Sequence, residues 1–173
     1  MIPHIRQYSP SDLIYCRGLW EELTQHHREI YHDPFIGGKE PGLYFDKHLE
    51  RVGPELIWLA EIRGDVVGLV GLMMDERDQE GHSAEIEPIV VGRLFQGKGI
   101  GRALLNRVIK EAKKRGIIYL SIKPVARNIA AIDLYYDVGF RLLGEIEMFM
   151  NLKSTETQNW ESGIELFGHA FKY

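Results

Sequence analysis

The segment Gln96-Gly97-Lys98-Gly99-Ile100-Gly101-Arg102-Ala103-Leu104-Leu105 constrains this chain more than any other stretch of it. A strand-like apolar run, Ile86 to Val91, leads into the segment, and an amphipathic helix leaves it. Glycines at alternate positions expose the backbone of the turn, and the first N–H groups of a helix have no partner within that helix. Strand, bare turn and helix entrance in this order form a cradle for an anion such as phosphate or diphosphate.

Two common phosphate motifs do not fit. A P-loop needs Gly-x-x-x-x-Gly-Lys followed by Ser or Thr. Here Lys98 lies between glycines, and no hydroxyl residue follows at the required place. The dinucleotide fingerprint Gly-x-Gly-x-x-Gly fails as well. Its third glycine falls on Arg102 when counted from Gly97, and on Leu104 when counted from Gly99. The acidic residue expected roughly 20 positions later is missing too, since the next strand ends Ser121-Ile122-Lys123.

The flanking sequence predicts a single domain over residues 1–173, with no repeat or linker. Ser9-Pro10-Ser11-Asp12 is a helix-start signal. The helix it opens carries Leu13, Cys16, Trp20 and Leu23 at three- and four-residue steps, to about Gln25. A loop rich in His, Pro and Gly, His26 to Gly42, precedes a second helix with Leu43, Tyr44, Phe45, His48, Leu49 and Val52. Strands follow at Leu56 to Ile62, Val66 to Met74 and Ser83 to Val91, joined by Arg63-Gly64-Asp65 and by the polar hairpin Asp75 to Gly81. The long helix runs from Ile100 to about Arg115 and closes at Gly116. Ile117 to Ile122 reads as a buried strand. Asn128 caps a last helix through Val138, which Gly139 ends. Phe140 to Leu152 and Ile164 to Tyr173 read as a final strand pair joined by a polar loop. The order predicts a mixed α/β fold, a mostly antiparallel sheet flanked by helices.

Composition excludes several classes. The net charge of −4 argues against nucleic acid as the partner. No apolar run approaches the roughly 20 residues that span a bilayer, so no membrane segment is expected. One cysteine, Cys16, allows no internal disulfide and fits a reducing compartment. With no apolar signal core at the N-terminus, the expected location is cytoplasmic. The charges are uneven, however. Arg93 to Arg115 is basic, whereas Asp75 to Glu87 is rich in carboxylates, a division suited to an anionic cofactor and a cationic substrate. His26, His27, His32 and Asp33 match no metal-ligand spacing, and no metal is expected.

The pattern Gln-x-x-Gly-x-Gly at Gln96, Gly99 and Gly101 resembles the acyl-CoA pyrophosphate loop of the GNAT superfamily of N-acetyltransferases. About thirty residues later, Asn128-Ile129-Ala130-Ala131-Ile132-Asp133-Leu134-Tyr135-Tyr136-Asp137-Val138-Gly139-Phe140 is similar to that family's second signature. The resemblance spans roughly residues 85 to 140. It implies the acyl-CoA N-acyltransferase fold, acetyl-CoA as cosubstrate, and direct transfer of an acetyl group to a primary amine. A catalytically silent acyl-CoA sensor, or an interaction module of the same fold, is the alternative.

The resemblance also assigns roles. Backbone N–H groups from Gly97 through Lys98, Gly99 and Ile100 to Gly101 would hold the pyrophosphate, with Gln96 and Arg102 flanking it. Ile89 and Val91 would offer backbone hydrogen bonds to the pantetheine arm where the strand splays. Only a neutral amine attacks, so a carboxylate must take a proton. Glu85 stands where some members carry that base, and Glu87, two residues on, is the second candidate. Tyr135 occupies the position of the acid that protonates the departing thiolate, and spacing favours it over Tyr136. Asn128 caps its helix and touches the cofactor. Trp20, His26, Tyr31, Phe35 and Tyr44 are nominated for the acceptor pocket. The acceptor is expected to be a small-molecule or peptide amine, and a homodimer is one assembly that the resemblance implies.

Overall fold

The computed structural model describes residues 2–148, 150, 152 and 162–172 of the chain. Two strands explain its layering. β2 (Ile57–Ile62) and β3 (Asp65–Met74) are apolar on both faces, and β3 is buried continuously from Val67 to Leu72. Strands of that kind need cover on both sides. Gly68 and Gly71, three residues apart on β3, show what supplies it. A Cβ on Gly68 would meet Leu104 and Ile100 of α3 (Ile100–Lys114), and one on Gly71 would meet His48 of α2 (Tyr44–Val52). Successive strand residues alternate faces, so α2 and α3 lie on opposite sides of the sheet. α1 (Leu13–Tyr31) packs with α2, and α4 (Ile129–Val138) packs with α3.

The sheet order is β1-β2-β3-β4-β5, with β1 (His4–Gln7), β4 (Ser83–Val91) and β5 (Tyr119–Ile122) completing it. The first four strands are antiparallel neighbours, and β5 joins β4 in parallel after the α3 crossover. A mixed, mostly antiparallel sheet flanked by helices is therefore what forms. The α3 face that meets the sheet is Ile100, Leu104, Leu105, Val108 and Ala112, all buried, as the helical spacing predicts.

Four features depart from the sequence reading. β1 was not predicted. His4–Gln7 is short and only half-buried, and its pairing with β2 holds it. α1 continues to Tyr31 instead of ending near Gln25. Its extra turns are held from outside: Arg28 donates to the Ile36 and Gly38 carbonyls, Arg93 pairs with Glu29, and Arg127 donates to the Ile30 carbonyl. The strand at 117–122 starts at Tyr119 and is not buried, because it is the edge strand of this sheet; Tyr119 is 71% exposed. Finally, Phe140 to Leu152 forms no strand among its described residues. The segment from Ile164 instead folds on itself: β6 (Ser162–Leu166) pairs with β7 (His169–Lys172) across Phe167-Gly168, both of positive φ. A two-residue turn of that kind matches the twist of a hairpin. The polar loop expected at 153–161, and residues 149, 151 and 173, lie outside the described residues.

Arg6 of β1 anchors the start of α1. Its guanidinium donates to both Asp12 oxygens at 2.7 and 2.8 Å and to Glu61 at 2.7 Å, and Asp12 also accepts from the Ser9 N–H. Arg6 holds the Asp12 carboxyl below the usual carboxylate range. A group lowered in the folded state stabilises at pH values above its unfolded pKa of about 3.9, and that contribution disappears as pH falls through the folded value. We expect Asp12→Asn to lower stability by about 1–3 kcal/mol near pH 7. In urea titrations repeated at decreasing pH, the difference from wild type should close below about pH 4.

Candidate functional site

Strand β4 is paired on both sides only in its first half. Its parallel pairs with β5 run from Ser83–Tyr119 to Ile86–Ile122 and stop there. On its other side the register with β3 slips at the same place: Leu72 faces Ile86 and Val70 faces Ile89, so Glu87 and Pro88 together oppose Gly71. That is a β-bulge. Pro88 brings no N–H to the ladder, and Gly71 brings no Cβ; a Cβ there would overlap the Glu87 carbonyl oxygen. From Glu87 onward β4 thus has a free edge, and Ile89 lies on it. The Val91 carbonyl, by contrast, accepts a hydrogen bond from Gln96 Nε2 at 3.0 Å. Gln96 therefore ties the glycine turn back to the strand end.

Past that tie the backbone bends through Gly97 and Gly99, at φ 71° and 80°. No heavy atom lies within 4 Å of where a Cβ would stand on either one, so their role is conformational and the space above them is open. Gly99 is the cap residue of α3, and the first helical hydrogen bond runs from the Ala103 N–H to its carbonyl. Among the described residues, the N–H groups from Gly97 to Arg102 have no hydrogen-bond partner. They form a row of bare donors at a helix entrance whose dipole adds positive potential. Gly101 works differently from its neighbours. A Cβ on it would stand 3.0 Å from Leu134 Cδ2, so its absence lets α4 approach α3.

The charged neighbours of the turn are largely engaged. Lys98 Nζ donates to the Leu94 carbonyl at 2.7 Å and lies over the Phe95 ring. Arg102 pairs with Asp137 of α4 at 3.1 Å. Two carboxylates of α1 hold the exit from β4: Glu22 accepts from the Arg93 N–H, and Glu29 takes its guanidinium. Sequence reasoning missed this pair, since nothing local links residues 71 and 64 positions apart. Asn128 caps α4 through its side chain, accepting from the Ala131 N–H.

The two candidate bases have different surroundings. Glu85 lies opposite Met73 and Ser121, and its Oε2 receives Lys123 Nζ at 2.7 Å. The partnership holds the Lys123 ammonium above the ordinary lysine range. The ammonium favours the ionised form of Glu85 and so weakens it as a proton acceptor. Among the described residues the Glu87 carboxylate has no hydrogen-bond or ion-pair partner. Tyr135 packs against the core through α4, and burial pushes its phenol up to about 12. Tyr136 is exposed, with the Arg141 guanidinium over its ring.

The five acceptor nominees are not gathered around one space. Trp20 packs inward on Phe45 and His48. His26 lies on α1 beside His27. Tyr31 lies beneath Arg127, and Phe35 is 85% exposed. Of the five, Tyr44 lines a shallow hollow of about 300 Å³ with Gly37, Gly38 and Lys47. The acidic hairpin, read as a cationic-substrate surface, largely serves itself: Asp75 holds Arg77, and Asp78 accepts from the N–H groups of Glu80 and His82.

Comparison with known proteins places this arrangement. A family profile described as the Acetyltransferase (GNAT) family matches residues 20–140, well over half of the chain. An N-acetylaspartate synthetase of Danio rerio is 37% identical over 90 residues, covering 52% of this chain and 31% of that protein. A [ribosomal protein bS18]-alanine N-acetyltransferase of Escherichia coli K12 is 46% identical over 52 residues, covering 30% of this chain and 35% of that protein. The matches thus span about a third of the length of these relatives. Among solved structures, an acetyltransferase of the GNAT family from Staphylococcus aureus superposes with a TM-score of 0.66 at 18% identity, over 83% of this chain and 87% of that one. The Salmonella typhimurium protein yncA, solved with its cofactor acetyl-CoA, does so at 0.63 and 24% identity, over 80% and 79%.

The bare N–H row makes a direct prediction. Gly99→Glu forces a side chain into a left-handed position and puts a carboxylate over the donors. A diphosphate-bearing nucleotide titrated into this variant should bind at least a hundredfold more weakly than to wild type. Undiminished affinity by calorimetry would remove the cradle.

Proposed function

The chain belongs to the GNAT acetyltransferase family, and from that premise we propose that it moves an acetyl group from acetyl-CoA to an α-amino group, on a free amino acid or at the start of a peptide. One observation carries the reading: among the described residues the N–H groups from Gly97 to Arg102 have no partner, in a turn that follows directly on the strand edge opening at Glu87. The donors suit a diphosphate. The free β4 edge around Ile89 suits an amide-containing arm. Acetyl-CoA supplies the acetyl group as an activated thioester.

The chain's own groups then manage one proton. In the overall exchange an N–C bond forms and a C–S bond breaks, and the proton lost by the amine equals the one gained by the thiol. Glu87, with no competing partner, receives the amine proton directly or through a water; Glu85 is held by Lys123. Tyr135 stays protonated at its raised pKa of about 12. Complete transfer from it to a thiolate of ordinary pKa, about 8.5, is uphill by roughly 5 kcal/mol. Its role is therefore to donate a hydrogen bond to sulfur as charge builds there; the thiolate takes its proton from solvent, and Glu87 returns to solvent the one it took from the amine.

The acceptor class follows from the same balance. A peptide's α-amine, pKa about 7.7–8.0, is roughly one-tenth neutral at pH 7, whereas a lysine amine is neutral in less than about one part in a thousand; the α-amine of a free amino acid titrates higher, and for that acceptor the reading rests on the relatives' names alone. A site in which one carboxylate takes the proton favours the peptide α-amine over the lysine amine. The relatives' names, an N-acetylaspartate synthetase and an alanine N-acetyltransferase, describe acetyl groups on amino-acid nitrogens, and that class is carried over here.

The experiment is acetyl-CoA-dependent thiol release with aspartate, an alanine-first peptide, a polyamine and an α-blocked lysine. Turnover should be at least tenfold faster with an α-amine. The opposite order would reject the acceptor class, and no release with any amine would reject the transferase reading. Tyr135→Phe should lower kcat about 10- to 100-fold with CoA affinity within a few-fold. Equal rates would reject its donor role.

A further inference from the structure

His48 is the one buried polar side chain with an orphaned atom among the described residues. It is 6% exposed, and its Nε2 makes no hydrogen bond of full geometry, although the Glu87 backbone is the polar group that acts on it. Buried polar atoms are nearly always paired, so an orphan calls for an explanation. Its location gives one. The imidazole rises from α2, packs on the Trp20 ring at 5.4 Å, and meets β3 at Gly71. A Cβ on Gly71 would stand 3.0 Å from His48 Nε2 and would overlap the Glu87 carbonyl oxygen. The nitrogen and the carbonyl thus converge on the point where glycine leaves room, which is the bulge that ends the pairing of β4 with β5.

We propose that His48 is a positioning residue for acyl transfer: its Nε2–H serves the Glu87 carbonyl and so fixes the bulge that sets the free edge of β4. The inference rests on the acetyltransferase reading, because it is that reading which makes the edge a working surface. The ring is suited to the task. Burial brings its pKa down to about 4, with Arg51 adding to the effect, so it is neutral at working pH and can carry its one proton on Nε2. It reaches β4 only at the bulge, across Gly71, so in this proposal it acts through Glu87 and not on the amine. Trp20, nominated for the acceptor pocket, acquires a different part here, as the wall that holds the imidazole in place.

The test compares His48→Phe, which keeps ring volume and removes the donor, with His48→Gln, which restores an N–H. Both are made in the full chain and measured with CoA for affinity, with acetyl-CoA and the best amine for kcat, and by thermal melting. His48→Phe should lower kcat at least tenfold, leave CoA affinity within threefold and melt no lower than wild type. His48→Gln should recover at least a third of the lost kcat. Wild-type kcat in His48→Phe overturns the proposal, as does a parallel fall of kcat, affinity and melting temperature in both variants. If the wild-type protein releases no thiol with any amine, the functional reading fails separately. The positioning claim is then decided by the imidazole 15N spectrum of the CoA-mixed protein, where an Nδ1-protonated tautomer overturns it and an Nε2-protonated one supports it.

Discussion

The parting of β4 from β5 after the Ile86–Ile122 pair organises everything else at this end of the molecule. Strand backbone is normally saturated by its neighbours, and a strand that loses one must expose polar groups or bend away. Here the bend is built into both partners of the adjacent ladder. Pro88 cannot donate, and Gly71 yields the space that the extra residue takes. The free edge that results runs to Val91, where Gln96 reaches back and starts the glycine turn. Bulge, edge and turn are consecutive, so a disturbance at Gly71 would propagate to the helix entrance.

The charges near that entrance form a second theme. A basic run before and along a helix suggests lysines and arginines reaching for phosphate, but most of them are already engaged. Arg93 is held by α1, Arg102 by Asp137, Arg107 and Arg115 by Glu111, and Lys98 by a carbonyl. What points outward is backbone. Fixed N–H dipoles do not need ordering when a ligand arrives, whereas a mobile lysine does, so a backbone cradle loses less conformational entropy on binding. The exposed ion pairs add little stability individually. Their effect is to join α1 to the exit of β4 and α3 to α4.

How much of this was legible in the chain differs by element. The α3 stripe of Leu104, Leu105, Val108 and Ala112 could be read directly, since helical spacing alone identifies a buried face. The capping of α4 by Asn128 and the ends at Gly116 and Gly139 follow from local chemistry. β1 escaped notice because four residues of mixed character carry no period. The last turns of α1 escaped because the arginines that hold them come from elsewhere in the chain or act across a loop. At the site, the sequence assigns Gly97, Gly99 and Gly101 one role, exposed backbone, but Gly101 has a second one that it does not reveal. That close approach to Leu134 exists only once α4 is packed.

Local sequence determined the strand, bare turn and helix entrance, and with them a place for an anion, because φ preferences and unpaired helix donors are properties of a few consecutive residues. Tertiary structure decided which carboxylate is engaged. Lys123 meets Glu85 only through the parallel register of β4 and β5, a pairing between residues 38 apart that no local rule specifies. It also decided that His48, which by spacing is one more inward residue of an amphipathic helix, faces a carbonyl at a bulge. Spacing gives the face a side chain occupies, but the atoms it meets there depend on the register of strands that assemble from distant parts of the chain.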